Sequence, residues 1–320
     1  MRQLLADKVS GALMGLWLLV PEHLRLGTWD LLRGWSGEPA EKVEPRLALQ
    51  LVHEAALCVA GVRQSRALSQ RGMEIANGLP FIATDQAVYD LLASHTMAQW
   101  ETLQVALGRI RRAGRQFPGG LLAIDPHRMR SQSKRQMIRR QSHRDDSPVK
   151  VAQTFFCLDV QTAQPLAMTT ASASRSAAQA APELLRLAAE ILGPRSSKPL
   201  VLLDTEHVNA QLFKQVLSEG RFDLLVPQPR REKPYRKLAH LEDSLFTPRW
   251  AGYATAVLPY RMANGGPSLY QLVQRCGEKP GQYQYKAFLS TRDDDEVRQL
   301  TRDFPQRWSI EEFFNLHQAL

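Results

Sequence analysis

Cysteine is scarce in this chain of 320 residues, with Cys58, Cys157 and Cys276 the whole complement. Odd in number and far apart, they exclude a disulfide framework and the paired spacing of a zinc knuckle, and they suit a reducing cytoplasm. Membrane-spanning runs are missing as well. The apolar run Gly11 to Val20 falls short of the ~20 residues that cross a bilayer. Lys8 before it and Pro21-Glu22-His23 after it supply no small-residue cleavage site, so it reads as a buried or interface helix and no membrane partner is expected. Acidic residues are in deficit, 32 Asp+Glu against 41 Lys+Arg, which leaves a net charge of +9 and a sequence pI near 9.7. That balance favours a polyanionic partner, nucleic acid above all, although an anionic membrane surface would also attract it. Disorder is excluded by 44% hydrophobic and 23% charged residues, the proportions of an ordinary globular chain.

What is present falls into two parts. Residues 1 to 116 read as helical. Leu47, Leu51, Ala55, Val59 and Val62 recur at three- and four-residue spacing, the period of a helix with one buried face. A second helix opens near Ser65 and stops at Asn77-Gly78-Leu79-Pro80. Thr84-Asp85 caps a third carrying Val88, Leu91 and Leu92, and Ser94 or Thr96 caps a fourth carrying Met97, Trp100, Leu103 and Leu107. Short helices that end on Arg109, Arg111, Arg112 and Arg115 suit a DNA-binding domain, and equally a helical bundle with a solvated basic end.

From Phe117 to the end the pattern is α/β. Pro118-Gly119-Gly120 breaks the helical period, and Leu121-Leu122-Ala123-Ile124 reads as a buried central strand that ends on Asp125-Pro126. A basic run follows, with Arg128, Arg130, Lys134, Arg135, Arg139, Arg140 and Arg144 interleaved with Ser and Gln. Read by itself it is a solvated loop; beside an acid at a strand end it reads as a segment that contacts phosphates. Val151 to Leu158 and Pro165 to Ala171 form a hairpin. Ser176 to Leu192 is an Ala- and Leu-rich helix stopped by Gly193-Pro194, and Pro199 to Leu203 is a second apolar strand, ending on Asp204. A helix over Val208 to Leu217 and a strand over Phe222 to Val226 complete the alternation. An antiparallel run followed by α/β units is the order of a ribonuclease-H-like mixed sheet.

Residues from about 228 to 300 interrupt it. Arg230, Arg231, Lys233, Arg236 and Lys237 form a second basic cluster, and β-prone segments follow at Gly252 to Pro259, Ser268 to Arg275 and Gln282 to Ser290, so this reads as a β-rich insertion. The chain then closes on a helix in which Arg307 and Glu311 stand four apart and share a face, while Ile310, Phe313 and Phe314 line an apolar stripe. Asp125, Asp204 and Glu311 thus lie on three separate elements. Brought together they repel one another unless a cation intervenes, and two hard divalent ions, Mg²⁺ or Mn²⁺, roughly 3.5–4 Å apart would serve. The shortage of cysteine agrees with oxygen ligands.

The closing segment, Phe304-Pro305-Gln306-Arg307-Trp308-Ser309-Ile310-Glu311-Glu312-Phe313, resembles the signature of DDE transposases of the insertion-sequence-four group, Tyr-x2-Arg-x3-Glu-x6-Lys. Phe304 and Gln318 stand where that signature has Tyr and Lys. With Asp125 and Asp204 as the first two acids, the resemblance spans residues 117 to 320. It implies a ribonuclease-H-like catalytic domain with a β-rich insertion before Glu311, here preceded by the all-α N-terminal domain read from the helical pattern. It further implies metal-dependent cleavage and transfer of DNA strands at insertion-sequence ends, with Asp125, Asp204 and Glu311 as catalytic metal ligands and Arg307 on a phosphate. The basic residues named above would track the DNA backbone, and Trp250 is a candidate to stack on an unpaired base, against a core tryptophan as the competing reading. The implied partners are terminal inverted repeats and target DNA, and the implied assembly is a homodimer on DNA. The chain stops nine residues past Glu311, which raises the expectation of a C-terminally shortened copy. A non-catalytic DNA-binding remnant and a nuclease without end specificity stay open beside the transposase.

Overall fold

In the computed structural model the described residues are 11–36, 44–57, 76–77, 83–131, 134, 136–140, 147–172, 174–230, 237–263 and 265–319. The chain divides into two compact units that meet in sequence between Arg111 and Arg112.

Regular elements described in the first unit are helical. A 3₁₀ stretch over Gly11–Leu19 leads into α1 (Val20–Leu26), followed by α2 (Thr28–Ser36), α3 (Glu44–Ala56), α4 (Asp85–Ala93) and α5 (Met97–Ala113). Gly27, at φ 59°, ends α1 in the left-handed conformation that a side chain would disfavour, and α2 starts at the next residue. Leu32 and Trp35 of α2 pack with Ala48 of α3 and Leu91 of α4, with Trp100 and Leu103 of α5 against them. The Thr84 hydroxyl accepts from the Ala87 amide and caps α4. At α5 the cap is Thr96, whose amide donates to Gln99 Oε1 while its hydroxyl accepts from the Gln99 amide. The helix expected to open near Ser65 lies outside the described residues but for its last positions, as do Val59 and Val62.

The second unit is mixed α/β. Its strands are β1 (Leu121–Arg130), β2 (Arg139–Arg140), β3 (Val149–Asp159), β4 (Gln164–Ser172), β5 (Leu200–Leu202), β6 (Asp223–Pro227), β7 (Thr247–Trp250), β8 (Tyr253–Arg261), β9 (Ser268–Cys276) and β10 (Gln284–Ser290). Among the described residues these form one sheet in the order β2-β3-β1-β5-β6-β10-β9-β8-β7, with β4 also paired to β3. β3 runs antiparallel to β1 and β4, β1, β5 and β6 are mutually parallel, and β10 returns antiparallel to β6.

Two expectations need correction. β1 does not end at Asp125 but continues to Arg130, paired with β3 throughout. β5 pairs only with Leu121 to Ala123, so the far edge of β1 is unpaired by β5 at Pro126, where a proline lacking its N–H is tolerated. The run from Arg128 therefore begins in a strand, not in a loop. After Pro227 the chain forms β7 to β10. Its last strand, β10, joins the edge of β6, so β7 to β10 extend the central sheet.

Helices cover the sheet. α6 (Ala177–Leu192), started by a capping box between Ser176 and Gln179, packs across β1, β3 and β4 and touches α7 (Ala210–Glu219). The chain beyond β10 coils as one turn over Glu296–Arg298, a π turn over Gln299–Asp303 and a 3₁₀ turn over Phe304–Trp308, before regular α8 (Ser309–Ala319). Pro305 cannot donate to the carbonyl four residues back, which accounts for the irregular winding ahead of α8. Ile310 and Phe314 of α8 pack on Leu121, Ala123, Phe156, Leu158, Leu200 and Leu202, with Phe304 and Phe313 at the margin.

Candidate active site

Parallel register explains why two distant aspartates become neighbours. Ala123 of β1 pairs with Leu202 of β5, and Asp125 and Asp204 each lie two residues further along their chains. Side chains two apart on extended backbone share a face, and parallel neighbours stand roughly 4.8 Å apart. Ala123 and Leu202 belong to the core that receives α8. Asp125 and Asp204 therefore emerge from the sheet on the face where α8 and the turn before it bring Arg307 and Glu311.

Arg307 joins the elements. Its Nη1 lies 3.5 Å from Asp125 Oδ2 and its Nη2 donates to Glu311 Oε1 at 2.8 Å. The Asp125 and Arg307 side chains are 14% and 15% exposed, shielded enough for their charges to matter to one another. Asp204 caps the short 3₁₀ turn Thr205–His207, accepting at Oδ1 from the Glu206 amide and from His207 Nδ1.

The two aspartates are electrostatically unlike. Burial lifts the Asp125 carboxyl and the Asp204 charge lifts it further, against Arg307 and His207, so that it rises from the ordinary 3.8 to about 7. Burial also acts upward on Asp204. There the hydrogen bond from His207, the charges of His207 and Arg307 and the Glu206 amide outweigh it and hold the carboxyl below the usual range. One acid ready to ionise near neutrality beside one firmly ionised is the pairing that acid–base and metal sites use.

The donor set suits a hard divalent cation in kind: three carboxylates, one lifted chiefly by burial, and no thiolate among them. As they stand, the Arg307 guanidinium supplies the balancing charge to Asp125 and Glu311. Among the described residues no group of three or more acidic, histidine or cysteine side chains is gathered closely enough to hold a metal ion.

The remaining predicted residues are spread over the second unit. Arg128 forms an ion pair with Glu206, beside Asp204, and so is not a free phosphate contact. Arg130, Lys134 and Arg139 are exposed, and Arg140 lies on β2. Arg230 is exposed and lines a cleft of about 820 Å³ with Gln228, Lys286, Phe288, Phe304 and Thr205, the residue that follows Asp204. Trp250 is 53% exposed and stacks face to face on Tyr253, centroids 4.2 Å apart, which removes the core reading for it. Arg135, Arg144, Arg231, Lys233 and Arg236 lie outside the described residues. Sequence reasoning missed Glu206 and His207. The signal was there in Asp204-Thr205-Glu206-His207, where an acid at a strand end is followed three residues later by histidine.

No family model matches the chain, and no curated protein matches it. Among solved structures it is similar to the piggyBac transposase in a synaptic complex with hairpin DNA, at 12% identity and a TM-score of 0.44, over 92% of this chain and 59% of that one. The chain thus spans less than two thirds of the length of that transposase chain. Among the described residues no helix is long and apolar enough to cross a membrane.

Proposed function

We propose that this chain is a DNA transposase of the DDE type, which cleaves DNA strands at the ends of an insertion sequence and joins them to a target. The observation that carries the reading is the meeting of Asp125, Asp204, Arg307 and Glu311, three elements far apart in sequence, on one face of the sheet. The succession β4-β3-β1-β5-β6, antiparallel and then parallel, supports a ribonuclease-H-like sheet beneath them. In this reading Asp125, Asp204 and Glu311 hold divalent ions, Mg²⁺ or Mn²⁺. Bound by these three carboxylates, such an ion would supply activation of a hydroxyl nucleophile and charge neutralisation at the leaving oxygen.

The protein side of the chemistry falls to its own residues. Asp204, kept ionised, anchors the site, and Asp125, near its midpoint at neutral pH, would give up its proton to solvent at little cost if a cation took the place of the guanidinium. Arg307, once released by Asp125 and Glu311, is placed to meet a phosphate with a planar pair of donors. Arg230 and Lys286 in the adjoining cleft, with Arg130, Lys134 and Arg139, offer positive charge to the DNA backbone, and the Trp250–Tyr253 stack offers an aromatic face to a base. Work at both ends of an element calls for two copies of the chain, hence a homodimer on DNA.

The test is Mg²⁺-dependent nicking and joining of duplexes that carry the inverted repeats flanking the reading frame. Wild-type protein is expected to act only with Mg²⁺ or Mn²⁺, and Glu311→Gln to lose roughly 10³-fold or more. Equal activity in that variant, or undiminished activity in chelator, overturns the reading.

A further inference from the structure

The two oxygens of Asp204 are in different situations. Oδ1 accepts from the Glu206 amide at 3.0 Å and from His207 Nδ1 at 2.6 Å. Oδ2 has no hydrogen-bond partner among the described residues. The ring that makes the shorter of these bonds is fully buried, at 0% exposure. Its other nitrogen, Nε2, is buried and has no hydrogen-bond partner among the described residues.

An apolar side chain would fill this space beneath α6 and beside β6 without leaving a buried nitrogen unsatisfied. The imidazole therefore contributes something that packing alone does not require, and the contact it makes is with Asp204. Because Nδ1 faces a carboxylate oxygen, the proton of the ring belongs on Nδ1. The short 3₁₀ turn closes the link: Asp204 caps it and His207 is its last residue, so the ring reaches back over three residues to the carboxylate.

We propose that His207 is a positioning residue for Asp204: by occupying Oδ1 together with the Glu206 amide, it fixes the carboxylate rotamer and leaves Oδ2 as the oxygen available to a cation. This inference rests on the metal-binding reading given above. Nothing in it requires His207 to touch substrate or metal. Partners that orient a ligating carboxylate in this way typically account for 10- to 100-fold in metal affinity.

Two measurements on the full chain test it. In the metal-free protein, long-range ¹H–¹⁵N spectra of the His207 ring should report the Nδ1–H tautomer; an Nε2–H tautomer overturns the proposal whether or not metal binds. Mn²⁺ affinity, read by electron paramagnetic resonance, should then separate isosteric variants. In His207→Asn the amide nitrogen takes the place of Nδ1, so affinity stays within roughly threefold of wild type. In His207→Gln the amide falls near Nε2 and Asp204 loses its donor, so affinity drops roughly 10- to 100-fold, as it does in His207→Leu. Melting temperatures identify folded variants, and His207→Asn supplies the comparison if His207→Leu fails to fold. Wild-type-like affinity in folded His207→Gln overturns the positioning role while leaving the metal site standing. Failure of the wild-type chain to bind Mn²⁺ overturns the metal reading, and the positioning role with it.

Discussion

Asp125 and Asp204 are the same residue at matching places on neighbouring strands, yet their surroundings divide them. Asp204 keeps its charge because two donors converge on Oδ1, whereas Asp125 accepts from neither and has the more distant Arg307 and the charge of His207 to set against burial and a negative neighbour. The consequence for stability follows from the sign of the shift. A carboxyl raised from 3.8 to about 7 on folding favours the folded state while it is protonated. That contribution is complete below pH 3.8, shrinks as the pH climbs and is gone above about 7. Metal-free Asp125→Asn should therefore match wild type near pH 4 and exceed it at pH 8. The gain should be about 1–3 kcal/mol, below the ceiling of about 4 that three pK units allow. Urea denaturation at the two pH values checks it, and equal stability at pH 8 would contradict the electrostatic account.

α8 shows how one element can join packing to the chemistry proposed for Glu311. Ile310, at 0% exposure, and Phe314 are sunk in the core beneath β1 and β5, and Glu311 is the next residue after Ile310. Truncation here should therefore be felt twice. Ile310→Val is expected to cost about 1 kcal/mol and to spare activity, while Ile310→Ala should cost about 2–4 kcal/mol and loosen the seat of Glu311. Denaturation midpoints measured beside DNA nicking at a temperature where both variants are folded decide the matter. Loss of stability in Ile310→Ala with nicking unchanged would show that Glu311 does not depend on this anchor.

The whole molecule carries an excess of nine positive charges, but the fold distributes their use unequally. Arg128 is matched by Glu206, whereas Arg230 is exposed in the cleft that Thr205 also lines. Binding to DNA should weaken with salt, and each phosphate contact adds about 0.9 to the logarithmic slope. Arg230→Ala should lower the slope by about one, and Arg128→Ala by clearly less, because its charge is already spent within the protein. Fluorescence anisotropy across a salt series measures both. Equal changes in slope would mean that the Arg128–Glu206 pair opens on DNA.

Much of the second unit could be read from local pattern. The continuous apolar runs around Ala123 and Leu202, the stop at Gly193-Pro194 and the stripe Ile310, Phe313 and Phe314 are short-range facts of the chain, because turns, caps and buried faces follow from residues within a few positions of one another. The four residues of the candidate site were named from the same order of acids, guided by the resemblance. Pattern could not show that β1 runs on past Pro126, since that depends on a partner strand more than twenty residues away. Nor could it show that β10 would dock on β6 and make the expected insertion part of the main sheet. Tertiary structure alone decided that Arg128 faces Glu206, that Trp250 lies on Tyr253 in the open, and that His207 closes on Asp204 beneath a helix. These are contacts between side chains whose meeting depends on register and burial, and a linear pattern of polarity carries neither.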